Sequence, residues 1–169
     1  ERRDHYLLLA RQDARHQHGS LTRLAEAEIH VQNGAYEQAA KLLEKLHQEE
    51  PRNSKIIALL DQTYAGQQAW DKAWSNLSAL RPQLDTAAYD SRRKTYAQGI
   101  LHDGAKGDIQ ALEAAWKRLP SDLRSDKAFV LQYAGALAAN DHPEEAEKLL
   151  AGEIRQSQDL ELIQAYSQL

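Results

Sequence analysis

Cysteine and methionine are both missing from this 169-residue sequence, and phenylalanine occurs once. Without cysteine there is no disulfide, no thiol chemistry and no Cys-based zinc site, while the compartment stays open because an absent residue suits oxidising and reducing surroundings alike. Long apolar runs are missing too. The longest, Tyr6 to Ala10 and Ile56 to Leu60, fall far short of the roughly 18 to 20 residues that cross a bilayer. An excess of positive charge is also lacking: the net charge is −4, with basic residues spread throughout, so a polyanion-binding surface has no electrostatic footprint. Beginning at Glu1 and containing no Met, the sequence reads as a soluble piece of a longer protein whose targeting segment is not included.

Alternation at period 2 does not persist beyond a few residues, which excludes strands. A helical repeat takes its place. Tyr36, Ala39, Leu43 and Leu46 return 34 residues later as Trp70, Ala73, Leu77 and Leu80. A step of 39 leads to Ile109, Leu112, Trp116 and Leu119, and a step of 34 to Pro143, Ala146, Leu150 and Glu153. A bulky residue, then a small one, then Leu at helical spacing, recurring at this period, marks stacked helix-turn-helix units.

The spacing predicts units over residues 20–53, 54–85, 86–126 and 127–158, with flanking helices at 4–17 and 159–169, in one domain of about ten helices. Gly19 is expected to stop the first helix and Ser20 to cap the next, which Gly34 ends. Pro51, Pro82 and Pro120 punctuate the later units, and Pro143 suits the first position of a helix, where a missing N–H costs no bond. The helix after Asp85 is longer and more polar than its counterparts. Five extra residues are expected in or near it. Gly104 and Gly107 are expected to bracket the turn that follows.

The first unit, with Ala27, Gly34, Tyr36, Ala39, Leu43 and Pro51, resembles the tetratricopeptide repeat. Ala at a helix crossing lets two backbones approach, Tyr36 fills the gap beside it, and Pro51 separates units. The fourth unit matches through Ala134, Ala146 and Leu150. The second carries Asp61 where the first helix usually has a small residue, and the third keeps little beyond Gly107, Leu112 and Trp116. The resemblance implies an all-α, right-handed superhelix of antiparallel helix hairpins with a concave face lined by the first helix of each hairpin.

A narrower resemblance covers almost the whole chain. RRDHYLLLARQDA at Arg2 to Ala14, HQEEPRN at His47 to Asn53 and AWDKAWSNLSALRP at Ala69 to Pro82 are followed by AAWKRLPSDLRSD at Ala114 to Asp126 and DHPEEAEKLL at Asp141 to Leu150. In this order and with the irregular repeat spacing, they resemble the HemY family of bacterial inner-membrane proteins. That resemblance implies a membrane anchor preceding this region and a periplasmic location for the repeats. It also implies a non-enzymatic role beside late heme-biosynthesis enzymes, which would be the protein partners.

Transferring the repeat geometry places Leu21, Leu24, Glu28 and Val31 on the concave face from the first unit, and Lys55, Ala58, Gln62 and Ala65 from the second. The last contributes Ala128, Leu131, Gly135 and Ala138. A face so rich in small and apolar residues suits a helix or extended segment of a partner, held by side-chain burial. Trp70 and Trp116 stand at repeat marks and read as packing. Trp74 stands one place past a mark and is the tryptophan expected to face a partner. Arg92, Arg93 and Lys94 read as a solvated helix face or a local anionic contact.

Seven histidines raise a metal or heme reading. His16 and His18 are two apart, which sets them about 200° apart around a helix and keeps them from one ion there. No pair has the i, i+4 zincin spacing, so no metal site is expected. His5, His47 and His142 read as surface or capping residues. A carrier of heme or porphyrin needs only one axial ligand, and His30 and His102 are the candidates; no cofactor is otherwise expected. The glycines at 99, 104 and 107 lack the Lys-Ser/Thr ending of a phosphate loop and follow no strand. No nucleophile elbow occurs, and no enzyme activity is expected. A tetratricopeptide adaptor unrelated to heme is the remaining reading.

Overall fold

Helix follows helix because apolar side chains recur every three to four residues, with Gly, Pro, Asn or Asp at most of the breaks. The computed structural model describes residues 19–168, and these contain ten α-helices, one 3-10 turn and no strand. Helix α1 covers residues 19–32. It is followed by α2 (Tyr36–Glu49), α3 (Ser54–Gly66) and α4 (Trp70–Leu80), the 3-10 turn Arg81–Gln83, α5 (Thr86–Ala105) and α6 (Ile109–Arg118). The remainder are α7 (Ser121–Arg124), α8 (Lys127–Ala139), α9 (Pro143–Ser157) and α10 (Leu160–Tyr166). The helix expected over residues 4–17 lies outside the described residues. The chain divides into two units, residues 1–92 and 93–169, with the division inside α5.

In the first unit α2 packs on α3, and α3 on α4. Helix α1 is tied to the end of α2 by Ser20, whose Oγ donates to Glu50 at 2.6 Å, and by the ion pair Arg23–Glu49 at 2.6 Å. In the second unit α6 and α7 pack on α8, α8 on α9, and α10 on both α9 and α8. The residues that share the repeat register of Ala27 and Ala39 are buried in every hairpin: Ala27, Asp61, Ile100 and Ala134 from the first helices, and Ala39, Ala73, Leu112 and Ala146 from the second.

The hairpin turn has one backbone form in three of the four units. Gly34, Gln68 and Asp141 all take a left-handed conformation, with φ of 71°, 56° and 64°. After each, the next N–H reaches five residues back: Ala35 to the His30 carbonyl at 2.8 Å, Ala69 to Tyr64 at 2.9 Å, and His142 to Leu137 at 2.9 Å. The second helix then starts at Tyr36, Trp70 or Pro143. The third turn is built differently. Gly107 stands at the equivalent place without a positive φ, and Asp108 caps α6 by accepting from Ala111 N at 2.8 Å.

The third unit also holds the five extra residues. Helix α4 and the 3-10 turn together match the 14 residues of α2. Helix α5, at 20 residues, is seven longer than α3, and the two-residue link before it is two shorter than the link before α3. The insertion is therefore a helical extension.

Ser20 is helical, so it is no cap; its hydroxyl is spent on Glu50 instead. Gly107 N donates to the Gly104 carbonyl at 3.1 Å, so the two glycines bracket the turn, with Gly104 in the last turn of α5. A Cβ there would stand 2.6 Å from the Ala115 Cβ and 3.2 Å from the Ala111 carbonyl, so this glycine permits α5 and α6 to touch. Helix α7, four residues long, was not anticipated, because one turn is too short for a periodic signal; Leu123 anchors it in the core.

The shared turn generates a prediction. A non-glycine residue in the left-handed region pays for its Cβ, by roughly 1 kcal/mol. Gln68→Gly is expected to raise stability by up to that amount, and Gly34→Ala to lower it by about the same, as read from urea midpoints at unchanged m.

Candidate partner-binding faces

In the first unit the candidate face belongs to α1 and α3. Leu21 is exposed, at 64% of its surface, Lys55 and Gln62 are exposed, and Glu28, Val31, Ala58 and Ala65 are half-buried. Leu24 is buried and belongs to the core. The face is bridged by Lys55, whose Nζ donates to Glu28 Oε2 at 2.6 Å. Its two charges neutralise each other, and Leu21, Ala58 and Ala65 supply apolar surface on the same two helices.

In the second unit α8 carries the candidates: Ala128 and Gly135 are exposed, Leu131 and Ala138 half-buried. A Cβ added at Gly135 would meet nothing within 4 Å. Beside this strip Gln132 Nε2 donates to the Gln98 carbonyl of α5 at 3.1 Å.

The three tryptophans are alike in being half-buried, Trp74 included. Trp116 stacks on Tyr133 with ring centroids 4.3 Å apart and planes 5° from parallel, so it is a packing residue between α6 and α8. In the first unit the Tyr36 ring lies against Gly66 where a Cβ would otherwise stand.

The basic trio is neither a free solvated face nor an open anion site. Arg92 Nε donates to Asp61 Oδ2 at 2.9 Å, and that carboxylate is buried, with 3% of the residue exposed. Arg93 grips Asp122 through two nitrogens, at 2.5 and 2.6 Å, and Lys94 donates to Asp126 at 2.7 Å. Asp126 is also the N-cap of α8, accepting from Ala128 N. The arrangement recurs one repeat later, where Lys127 Nζ lies 3.1 Å from Asp159, the N-cap of α10. The side-chain hydrogen bonds from Arg93, Lys94 and Lys127 hold the carboxyls of Asp122, Asp126 and Asp159 below the usual range.

Sequence reasoning missed a cleft of about 410 Å³ in the first unit, lined by His47, Leu60, Tyr64, Asp71, Lys72, Ser75, Asn76 and Ala79. Glu44 beside it accepts from Lys72 Nζ at 2.8 Å and from the Tyr64 hydroxyl at 3.1 Å. The bond from Lys72 lowers the Glu44 carboxyl, while burial, and after it the Glu44 charge, pushes the Tyr64 phenol up. Only the spacing of Tyr64 and Asn76 along neighbouring helices could have hinted at it.

Of the heme candidates, His30 is half-buried on α1 with Nε2 3.9 Å from Glu26, and His102 is exposed near the end of α5. His142 pairs with Glu145 at 3.3 Å. His5, His16 and His18 lie outside the described residues. Among the described residues no group of three or more His, Cys, Asp or Glu is placed to hold a metal, and no helix is long and apolar enough to cross a membrane.

The ion pairs make two predictions. Arg92→Ala removes the guanidinium from a buried carboxylate, whereas Asp61→Ala supplies the small residue this crossing usually has and leaves an arginine that already reaches solvent. Arg92→Ala is expected to cost about 2 to 4 kcal/mol in denaturant unfolding, and Asp61→Ala clearly less. A carboxyl whose pKa is depressed by folding stabilises above its unfolded value of about 3.9 and loses that contribution as pH falls through the folded value. Lys94→Met is accordingly expected to lower the melting temperature at pH 7, with the gap to the parent closing below about pH 4.

The sequence profile of the tetratricopeptide repeat family matches residues 30–91, from the end of α1 through α4 into α5. No curated protein and no solved structure matches the chain. With the recurrent turn and the helix hairpins described above, this gives residues 30–91 the character of tetratricopeptide repeats, modules whose general role is to bind other proteins.

Proposed function

We propose that the chain is a non-enzymatic scaffold that seats a helix or extended segment of a partner on the first helices of its hairpins. The observation that carries this reading is the α1/α3 face. There Glu28 and Lys55 neutralise each other at 2.6 Å, and Leu21, Ala58 and Ala65 offer shallow apolar surface to a side chain from outside. Half-buried alanines make sockets, since they admit a bulky partner group close to the helix backbone. The strip Ala128, Leu131, Gly135 and Ala138 on α8 has the same character in the second unit.

For the partner, the reading rests on the ordered segments that resemble the HemY family. They support a membrane-anchored protein with its repeats in the periplasm, serving late heme biosynthesis by holding enzymes of that pathway. His30 beside Glu26 and the exposed His102 give no observation that favours a heme carrier, so the scaffold reading is the one argued.

The immobilised chain is expected to capture a late heme-biosynthesis enzyme saturably. Ala58→Arg together with Ala65→Arg is expected to weaken capture at least tenfold while the helical circular dichroism stays unchanged. Capture indifferent to these substitutions would overturn the proposed face. A stoichiometric Soret band on heme addition, lost in His30→Ala or His102→Ala, would replace the scaffold with a carrier.

A further inference from the structure

The cleft of the first unit runs along α4. Asp71, Ser75 and Ala79 line it from successive turns of one helix face, with Lys72 and Asn76 beside them, so it extends for about 12 Å. His47 of α2 stands across from them, and the buried Leu60 and Tyr64 of α3 form the floor. Its volume of about 410 Å³ is that of a small-ligand pocket. No residue of the α1/α3 face takes part in it.

Bonds within the chain draw donors away from these walls and leave acceptors. The Ser75 hydroxyl donates to the Asp71 carbonyl at 2.8 Å, which leaves the lone pairs of its oxygen. Asn76 Nδ2 donates to the Ile57 carbonyl at 3.0 Å, which fixes the amide and makes Oδ1 its acceptor end. The Lys72 ammonium and the Tyr64 hydroxyl both donate to Glu44. Asp71 adds a carboxylate, whose two oxygens take several donors. His47 Nδ1 is shielded and has no hydrogen-bond partner among the described residues, an uncommon state that a donor from outside the chain would relieve. Charge points the same way, since the carboxylates of Asp71 and Glu44 outnumber the one ammonium of Lys72.

We propose that this cleft binds an alkylguanidinium group. A guanidinium carries a fixed positive charge and N–H donors with no acceptor, which complements walls of acceptors and an excess of carboxylate. Its methylene stem suits Leu60, the Tyr64 ring and Ala79, as such stems lie along apolar surface while the charged head stays polar. The wall already carries one cation beside an aromatic ring, for Lys72 Nζ lies 5.5 Å from the Tyr64 centroid. An anionic ligand is the wrong complement: it would bring further acceptors and set a second negative charge against Asp71. The chemistry is the same whether the group belongs to a free amino acid or to an arginine side chain in a peptide.

The test titrates the full chain with N-acetyl-arginine amide, with free arginine and with N-acetyl-citrulline amide, in which a neutral urea replaces the guanidinium, and follows amide NMR shifts. Saturable shifts centred on residues 47, 60, 64 and 71–79 are expected, with the citrulline compound binding at least tenfold more weakly. Asp71→Asn is expected to weaken binding at least fivefold. Lys72→Gln, which removes the competing ammonium, is expected to tighten it. Free arginine binding at least tenfold tighter than the capped residue would assign the group to a free amino acid, and the reverse to a side chain in a peptide; both uphold the cleft. Equal binding of the citrulline compound, no saturable shifts, or shifts spread evenly over carboxylates elsewhere in the chain would overturn the proposal. So would saturable shifts with acetate that Lys72→Gln removes, since the cleft would then read anions. Loss of capture in the Ala58/Ala65 experiment leaves this outcome untouched, because the two sites share no residue.

Discussion

Every hairpin depends on how closely two helix backbones can approach, and that distance is set by the side chain at the crossing. Where both crossing residues are alanine, as with Ala27 and Ala39 or Ala134 and Ala146, the pairs are buried almost completely. The third hairpin carries Ile100 and Leu112 instead, also buried. There the close approach moves one turn along, to Gly104 against Ala115. The same hairpin has the lengthened first helix and the different turn. The exchange of both small crossing residues for large ones is matched by a displaced contact, a helical extension and an aspartate cap in place of the left-handed residue.

Charge plays a second, more local part. Asp61 brings a carboxylate to a crossing where alanine usually stands, and Arg92 from α5 meets it. Lys94–Asp126 and Lys127–Asp159 then join each N-cap to the first helix one repeat earlier. A cap of this kind does two things at once, since one carboxylate oxygen satisfies a helix N–H and the other takes an ammonium. Pairing so many charges within the fold leaves the candidate faces with few free ones, and it turns them toward recognition by shape and apolar burial.

Much of this was legible in the chain. The returns of Ala39 as Ala73 and Ala146 identified the second helices, and Gly34 and Pro143 placed boundaries within a residue, because glycine and proline restrict the backbone locally. The candidate positions on α1, α3 and α8 follow from counting along helices. Their exposure did not: Leu21 and Leu24 are one turn apart, yet one is open and the other buried. Ser20 looked like a cap by residue type, but Glu50, thirty residues on, claims its hydroxyl. The partners of Arg92, Arg93 and Lys94 were hidden because each is about thirty residues distant, beyond the reach of helical spacing.

The sequence by itself determined the helical class, the repeat and its interruption, since these rest on local preference and on spacing along one helix. Tertiary structure alone decided which apolar residues stay uncovered, which charges are spent on one another and where the small residues of the third hairpin meet. Those outcomes depend on side chains brought together from separate repeats, and a pair that packs across thirty residues leaves no mark in either residue's own neighbourhood.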